Sequence, residues 1–289
     1  MTTLGSLCSG VGGLDLGAIH FFDADLIWLS EDDPAASEVL AHQFPDACNH
    51  GDLRDAKPEL LDAVDVLTCG FPCGPVAPIG KQKGTEDPRW LCPDIVEFID
   101  AMPLPPTTVV FENVVGLLSN NDGTTVREFL GTVAELGYSL RWGVVQAADA
   151  QAPHRRSRWF CLGTHADSSQ LQRRREPHQL ERPPATQHRP GLAAVLAAPV
   201  HRPAPPDRGQ DFDFQQFEPA IRRWELTTGW PAPSPLIDNH LNPLFCEWAM
   251  GLPPGWVTDL ITVRDDRFRL IGNAVVPQQA ALALQLLAS

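Results

Sequence analysis

The 289-residue sequence lacks the features that mark several classes of protein. No stretch approaches the roughly 20 uncharged apolar residues that a membrane helix needs, so no membrane partner is expected. The N-terminus lacks the basic segment that opens a signal peptide. The seven cysteines include no CxxC pair, and Cys69 and Cys73 are spaced too widely for the common zinc knuckle, so no metal is expected. This odd set of cysteines favours a reduced protein of the cytoplasm.

Lysine is scarce, with three residues in the chain, and the net charge of −14 argues at first against a nucleic-acid partner. The charge is unevenly distributed, however. Residues 1–150 contain 23 acidic and 7 basic residues, whereas residues 151–208 contain 4 acidic residues and 10 arginines. Because arginine suits phosphate groups and guanine edges, an acidic chain of this kind is compatible with a local basic binding face.

Short apolar segments alternate with helical segments through the first half of the chain. Strands are predicted at residues 3–8, 26–30, 64–69, 108–111, 140–145 and 159–163, and helices at residues 12–21, 34–44, 125–136 and 276–287. This succession predicts an α/β fold with a doubly wound, mostly parallel sheet. After residue 163 the chain becomes rich in His, Gln, Arg and Pro, which favours a small irregular domain or a long binding insertion.

A glycine-rich motif, with Gly10, Gly12 and Gly13, follows the first predicted strand and opens a helix. Glycines there let a cofactor approach the backbone. Glu31 lies 21 residues after Gly10 at the end of the next strand, where an acid hydrogen-bonds ribose hydroxyls. Asp15 stands where the dinucleotide fingerprint has glycine, which disfavours a nicotinamide dehydrogenase. The alternative is a tight strand–helix turn with an acid that caps the helix.

Two further motifs follow the strands at 64–69 and 108–111. Cys73 lies in a Gly-Phe-Pro-Cys-Gly-Pro loop, a poor place for a core cysteine and a good one for a nucleophilic thiolate. Glu112 and Asn113 end the other strand, and a desolvated Glu can stay protonated and donate to a ring nitrogen. The alternatives are a structural loop with an inert thiol and a pair of helix-capping residues.

The last two motifs are a His-Arg-Arg-Ser-Arg segment at 154–158 and a Gly-Asn-Ala-Val-Val-Pro segment at 272–277. Alternation along a strand predicts that Arg156 and Arg158 share one face. The alternatives are an exposed basic strand end for the first segment and an ordinary turn for the second.

Together and in this order, the five motifs resemble those of the DNA (cytosine-5) methyltransferases, and residues 241–253 are similar to a segment of phage and actinobacterial members. The resemblance implies a Rossmann-like methyltransferase fold with a small irregular target-recognition domain. Residues 1–164 would bind S-adenosylmethionine and carry the catalytic groups. Residues 165–264 would form the target-recognition insertion, and residues 265–289 would return to the catalytic domain.

The resemblance also implies a role for each matching residue. Cys73 would attack C6 of cytosine, Glu112 would hydrogen-bond N3, and Asn113 would brace the loop. Arg156 and Arg158 would lie beside the flipped base. The cofactor site would comprise Cys8, Gly10, Gly12, Gly13, Glu31, Asp32, Asp52, Leu53, Phe71, Pro72, Asn273 and Val275. Contacts to DNA are expected from Arg155, Arg173, Arg174 and Arg175. Departures from the family pattern occur at Cys8, Asp32, Gly74, Ala77 and His154.

The implied function is transfer of a methyl group from S-adenosylmethionine to C5 of a flipped-out cytosine through a covalent cysteine adduct. A monomer acting on double-stranded DNA is expected, with a cognate restriction endonuclease as a candidate partner. Two alternatives stay open: an RNA cytosine-5 methyltransferase of the same family, and a catalytically weak homologue that only binds DNA.

Overall fold

The computed structural model describes residues 1–72, 90–167 and 212–289. The predicted nucleophile Cys73 lies outside these residues, as do Gly74, Ala77, Arg173, Arg174 and Arg175. The strand ends and helices that carry the other predicted site residues lie within them.

Seven strands of the described chain form one sheet in the order β3-β2-β1-β4-β5-β7-β6. The strands are β1 Thr2–Leu7, β2 Ala24–Ser30, β3 Cys48–Asn49, β4 Val66–Cys69, β5 Thr108–Val114, β6 Tyr138–Gln146 and β7 Ser157–His165. Strands β3, β2, β1, β4 and β5 pair in parallel, whereas β7 runs antiparallel to its neighbours β5 and β6. The predicted doubly wound, mostly parallel sheet is therefore confirmed.

Eight α-helices surround the sheet in the described ranges. They are α1 Gly13–Phe22, α2 Pro34–Gln43, α3 Cys92–Ala101, α4 Thr124–Glu135, α5 Glu218–Thr228, α6 Pro243–Ala249, α7 Arg264–Asn273 and α8 Pro277–Ala288. A small hairpin, β8 Leu236–Ile237 and β9 His240–Leu241, precedes α6. The four helices predicted from the sequence are present, and α3, α5, α6 and α7 are additional.

Local sequence explains where α2 begins. Pro34 takes the first helical position, where its missing N–H costs no hydrogen bond. Asp33 caps the helix, because its side chain accepts a hydrogen bond from the backbone N–H of Ala36 at 2.9 Å. The cap fixes the direction in which the chain leaves β2, immediately after Glu31.

Each face of the sheet is covered by a separate apolar layer. Helices α3 and α4 pack on one face, against Leu67, Phe111 and Trp159, which are fully buried. Helices α1, α2, α5, α6, α7 and α8 contribute to the layer on the other face. The described part of the predicted insertion thus shares a core with the helices that flank the glycine-rich motif.

Helices α1 and α8 pack closely at one glycine. A Cβ atom on Gly17 would lie 2.6 Å from the Cβ of Ala280, so only glycine allows this approach. Among the described residues, α7 and α8 taken together, Arg264–Ala288, are long and apolar enough to be compared with a membrane span. More than half of its apolar window, 56%, is buried inside the protein, as in a pair of core helices.

Candidate active site

The strand order reverses at the neighbouring strands β1 and β4, whose carboxyl ends lie side by side. Doubly wound sheets bind ligands in the crevice outside such a reversal, because the connections from the two strands diverge to opposite sides. The glycine-rich motif follows β1, and residues 70–72 follow β4. Two of the predicted motifs therefore open at the same crevice.

The glycine-rich turn is tied to the end of β2 by the carboxylate of Glu31. Gly10 and Gly12 both have positive φ, at 56° and 82°, which favours glycine. The N–H of Gly10 donates to Glu31 Oε2 at 2.7 Å, and the N–H of Asp33 donates to Glu31 Oε1 at 2.9 Å. Burial raises the pKa of Glu31 above its ordinary value, and these two backbone hydrogen bonds oppose the rise.

The segment after β3 lies beside the same carboxylate. The hydroxyl of Ser30 donates to the carbonyl of Gly51 at 2.6 Å, which brings Asp52 and buried Leu53 near the end of β2. The carboxylate of Asp52 pairs with Arg54, whose Nη2 lies 2.5 Å from Oδ2. This pairing lowers the pKa of Asp52. A contact between Asp52 and a bound adenine stays a prediction.

Within the described part of the chain, open space adjoins this group of residues. A Cβ atom on Gly10 or on Gly51 would meet no atom of the described residues within 4 Å, apart from its own chain neighbours. Cys8 is partly exposed at the start of the turn, and Asp32 is exposed next to Glu31. An acceptor carboxylate beside open space and bare backbone fits a ligand that carries hydroxyl groups, as the ribose of a nucleoside does.

A buried carboxyl group lies at the end of β5. The Glu112 side chain forms an ion pair with Arg158 of β7, with 2.9 Å between Oε1 and Nε. Its other oxygen lies 3.8 Å from the position a Cβ would take on Gly70, so the carboxyl faces the segment after β4. Burial raises the pKa of Glu112 to about 7, even though the charges of Arg158 and Arg156 favour the ionised form. Near neutral pH this group can therefore donate or accept a proton.

Asn113 anchors the start of the loop that contains Cys73. Its Nδ2 donates to the carbonyl of Phe71 at 3.1 Å, across 42 residues of sequence. The buried ring of Phe71 packs on Phe129, with 5.2 Å between ring centroids. Pro72, the last described residue before Cys73, is exposed. The chain is thus held firmly two residues before the predicted nucleophile.

Arg156 lies one residue before β7, which begins at Ser157. Its place beside a flipped base stays a prediction. Its Nη2 donates to the carbonyl of Ala274 at 2.9 Å. The charges of Arg156 and Arg158 nevertheless both act on Glu112. Arg155 is exposed, as a residue that contacts DNA must be.

The C-terminal segment reaches the glycine-rich motif. Val275 is buried, and its carbonyl oxygen would lie 2.2 Å from a Cβ on Gly13, so only glycine fits there. An ordinary turn over residues 272–277 was the alternative. It is wrong for Gly272 and Asn273, which end helix α7. Asn273 itself is exposed, and its contact with a cofactor stays a prediction.

Comparison with known families shows the family of the chain. The family described as C-5 cytosine-specific DNA methylase matches residues 2–222. The chain belongs to this family. The family resemblance predicted from the five motifs is therefore confirmed.

Curated relatives in this methylase family are bacterial type II methyltransferases. M.BsuFI of Bacillus subtilis is 32% identical over 162 residues, which are 56% of this chain and 39% of the relative. M.HhaI of Haemophilus parahaemolyticus is 32% identical over 157 residues, or 54% of this chain and 47% of the relative. The chain spans about a third to a half of the length of the curated relatives it matches.

Solved structures share the fold of this chain. The Dnmt2 methyltransferase of S. pombe has a TM-score of 0.61 and 19% identity, with 100% of both chains covered. The Entamoeba histolytica methyltransferase EhMeth has a TM-score of 0.62 and 12% identity, with 99% of this chain and 98% of that chain covered. At these identities the likeness establishes the fold alone.

The motif analysis included Asp15 but missed Thr68, its buried hydrogen-bond partner. The hydroxyl of Thr68 in β4 donates to Asp15 Oδ1 at 2.5 Å, across 53 residues of sequence. Burial raises the pKa of Asp15 to about 6, and the hydrogen bond from Thr68 opposes the rise. The motif analysis also missed Glu247 and Trp256. A charged residue inside the apolar Leu-Phe-Cys-Glu-Trp-Ala-Met segment was a signal for the first of these.

Proposed function

We propose that this protein transfers a methyl group from S-adenosylmethionine to C5 of a cytosine in double-stranded DNA, with the base flipped out of the helix. The observation that carries the proposal is the buried Glu112–Arg158 pair. It lies on the strands next to the reversal of the sheet, beside the segment that leads to Cys73, in a chain of the cytosine-specific methylase family.

The residues around Glu31 fit the nucleoside part of S-adenosylmethionine, which supplies a methyl group on a positively charged sulfur. Each oxygen of Glu31 accepts one backbone hydrogen bond and keeps a second acceptor site for a ribose hydroxyl. Arg54 lowers the pKa of Asp52 further below neutral pH, and the ionised carboxylate suits an adenine amino group. Cys8, Phe71 and the other predicted cofactor residues would wall the same space.

Cytosine C5 is a weak nucleophile, and we assign its activation to Cys73. The thiolate of Cys73 adds to C6, which makes C5 electron-rich enough to take the methyl group. Removal of the C5 proton and departure of the Cys73 thiolate then restore the aromatic ring. Because the ring must leave the stack, the protein must also compensate a cost of about a few kcal/mol.

Glu112 is the group that we assign to N3 of the ring. With a pKa of about 7 it is half protonated at neutral pH, and the protonated carboxyl can donate to N3 as electrons collect on the ring. Arg158 holds the carboxyl in place through their ion pair. Arg156 would lie beside the flipped base while its guanidinium joins the segment before α8.

DNA would be bound by the exposed Arg155 and by Arg173, Arg174 and Arg175, the last three in the segment outside the described residues. Residues 165–264 stay our proposed target-recognition insertion, flanked by the catalytic segments 1–164 and 265–289. We further propose a cytoplasmic monomer whose partner in the cell is a cognate restriction endonuclease.

The proposal is tested with tritiated S-adenosylmethionine on duplex DNA and on tRNA, for the wild-type protein and for Cys73→Ala. Wild-type protein is expected to label DNA, and Cys73→Ala is expected to lose labelling while its melting temperature stays unchanged. Activity of Cys73→Ala within tenfold of wild type would contradict the assignment of the nucleophile. Labelling of tRNA alone would favour the RNA methyltransferase, and no labelling of either would favour the DNA-binding homologue.

A further inference from the structure

A loop far along the chain touches the glycine-rich turn. The indole N–H of Trp256 donates to the carbonyl of Val11 at 2.7 Å, across 245 residues of sequence. Val11 lies between Gly10 and Gly12, both of which have positive φ. Both the indole and Val11 are buried, so water cannot reach the carbonyl of Val11, and the indole N–H is its hydrogen-bond donor instead.

The same tryptophan is fixed on its other sides. Its carbonyl accepts from Gln43 Nε2 at the end of α2, at 2.9 Å. Its ring meets the edge of Phe44, with 5.7 Å between centroids. The Phe44 ring in turn lies against Gly12, where a Cβ would come within 2.7 Å of it. Trp256, α2 and the glycine-rich turn therefore form one packed unit.

A buried carboxylate sets the backbone on both sides of Trp256. Glu247 Oε1 accepts from the N–H of Val257 at 2.6 Å and of Thr258 at 3.0 Å. Its Oε2 accepts from the N–H of Gly255 and from the Thr258 hydroxyl, both at 2.8 Å. The Glu247 side chain of α6 thus accepts four hydrogen bonds from this loop. They fix the loop in the conformation in which the indole N–H reaches the carbonyl of Val11.

From these contacts we infer that Trp256 is a positioning residue for the cofactor turn, held in place by Glu247. It fixes the peptide plane that joins Val11 to Gly12, and so it keeps the neighbouring N–H of Gly10 on Glu31, the proposed ribose acceptor. The inference rests on the proposed binding of S-adenosylmethionine at this turn.

The test compares Trp256→Phe with Trp224→Phe. Both changes keep a buried aromatic ring and remove one indole N–H, since Trp224 donates to the carbonyl of Trp248 at 2.8 Å, away from the glycine-rich turn. Affinity for S-adenosylhomocysteine is measured by titration calorimetry, and unfolding temperature is measured alongside. We expect the unfolding temperature to fall by similar amounts in the two variants.

Only Trp256→Phe should weaken binding of S-adenosylhomocysteine, by about 5- to 20-fold, because an unpaired buried carbonyl now competes with the ordered turn. In steady-state methyl transfer the KM for S-adenosylmethionine should rise while kcat changes little. Equal affinity in the two variants, whether both unchanged or both reduced, would overturn the inference.

Two further outcomes are distinguishable. If wild-type protein does not bind S-adenosylhomocysteine, the proposed function is overturned, and the inference falls with it. If Trp256→Phe does not fold, Gln43→Met provides the test, since it removes the N–H that Trp256 accepts and keeps the side-chain length. A smaller loss of affinity is expected there, and unchanged affinity in that variant would overturn the inference.

Discussion

Replacing Glu112 by Gln tests the proposed chemistry most directly, because it keeps the shape of the side chain and removes its titratable proton. Glutamine can still donate a hydrogen bond from its amide, yet it cannot deliver a proton to N3 of the cytosine. General acid assistance is typically worth about 10²–10⁴-fold in rate. We therefore expect kcat to fall by about that factor while affinity for S-adenosylhomocysteine changes by less than about threefold.

The pH dependence of wild-type activity gives a second, independent magnitude. The pKa of Glu112 is raised to about 7, chiefly by burial. Because the protonated carboxyl is the active form, the contribution of Glu112 to activity should be halved near pH 7. Above that pH, activity should approach a tenfold fall for each further pH unit. Glu112→Gln should lack this decline.

Asp15 provides the matched control for the pH profile. It is also buried, and its pKa is raised to about 6, so it titrates close to the same range. Asp15→Asn should keep the decline of relative activity near pH 7 if Glu112 is responsible. Steady-state methyl transfer from pH 5.5 to 9 and titration calorimetry supply the measurements. Loss of the decline in Asp15→Asn, or a collapse of cofactor affinity in Glu112→Gln, would refute the role assigned to Glu112.

Two further predictions concern charge. Arg158→Met removes a cation that favours ionised Glu112, so the pKa of Glu112 should rise. The decline of relative activity should therefore move to higher pH, and a shift to lower pH would contradict the ion pair. DNA binding should weaken steeply with salt despite the acidic chain, with a log–log slope of about −4 to −5 if roughly five arginines meet phosphates. Changing Arg173, Arg174 and Arg175 together to Gln should flatten that slope in filter-binding titrations, and an unchanged slope would show that these arginines do not contact DNA.

The sheet could be predicted from the sequence because its strands are short, apolar and rich in β-branched residues. The predicted strand 108–111 became β5 Thr108–Val114, and the predicted strand 159–163 became the central part of β7 Ser157–His165. Local preference gave the start of α2 equally well, since Asp33 and Pro34 form a recognisable helix start. Such elements depend mainly on residues that are close in the chain, and these interactions can be inferred from the sequence alone.

Helix α7 shows why other elements were missed. It begins with Arg264, Asp265 and Asp266, and its partly buried face comprises few apolar residues, so periodicity gave a weak signal. Its position is fixed by distant contacts instead: Arg269 pairs with Asp33, the cap of α2. A contact across 236 residues leaves no trace in local spacing.

The candidate site divides in the same way. The residue types at strand ends, such as Glu31 and Glu112, could be selected from the sequence because parallel strands bring their carboxyl ends to one edge. The partners that tune them could not. Arg158 was assigned to the flipped base, and its ion pair with Glu112 became visible only from the pairing of β5 with β7.

The C-terminal segment joins the two halves of this site. Val275 packs on Gly13 at the proposed cofactor turn, and the neighbouring carbonyl of Ala274 holds the guanidinium of Arg156, whose charge acts on Glu112. One short stretch between α7 and α8 therefore fixes the proposed cofactor side and the proposed base side relative to each other. Methyl transfer needs both reactants at a defined separation, and small misplacements are costly in rate. The return of the chain to the sheet at α8 is thus part of how the proposed site is assembled.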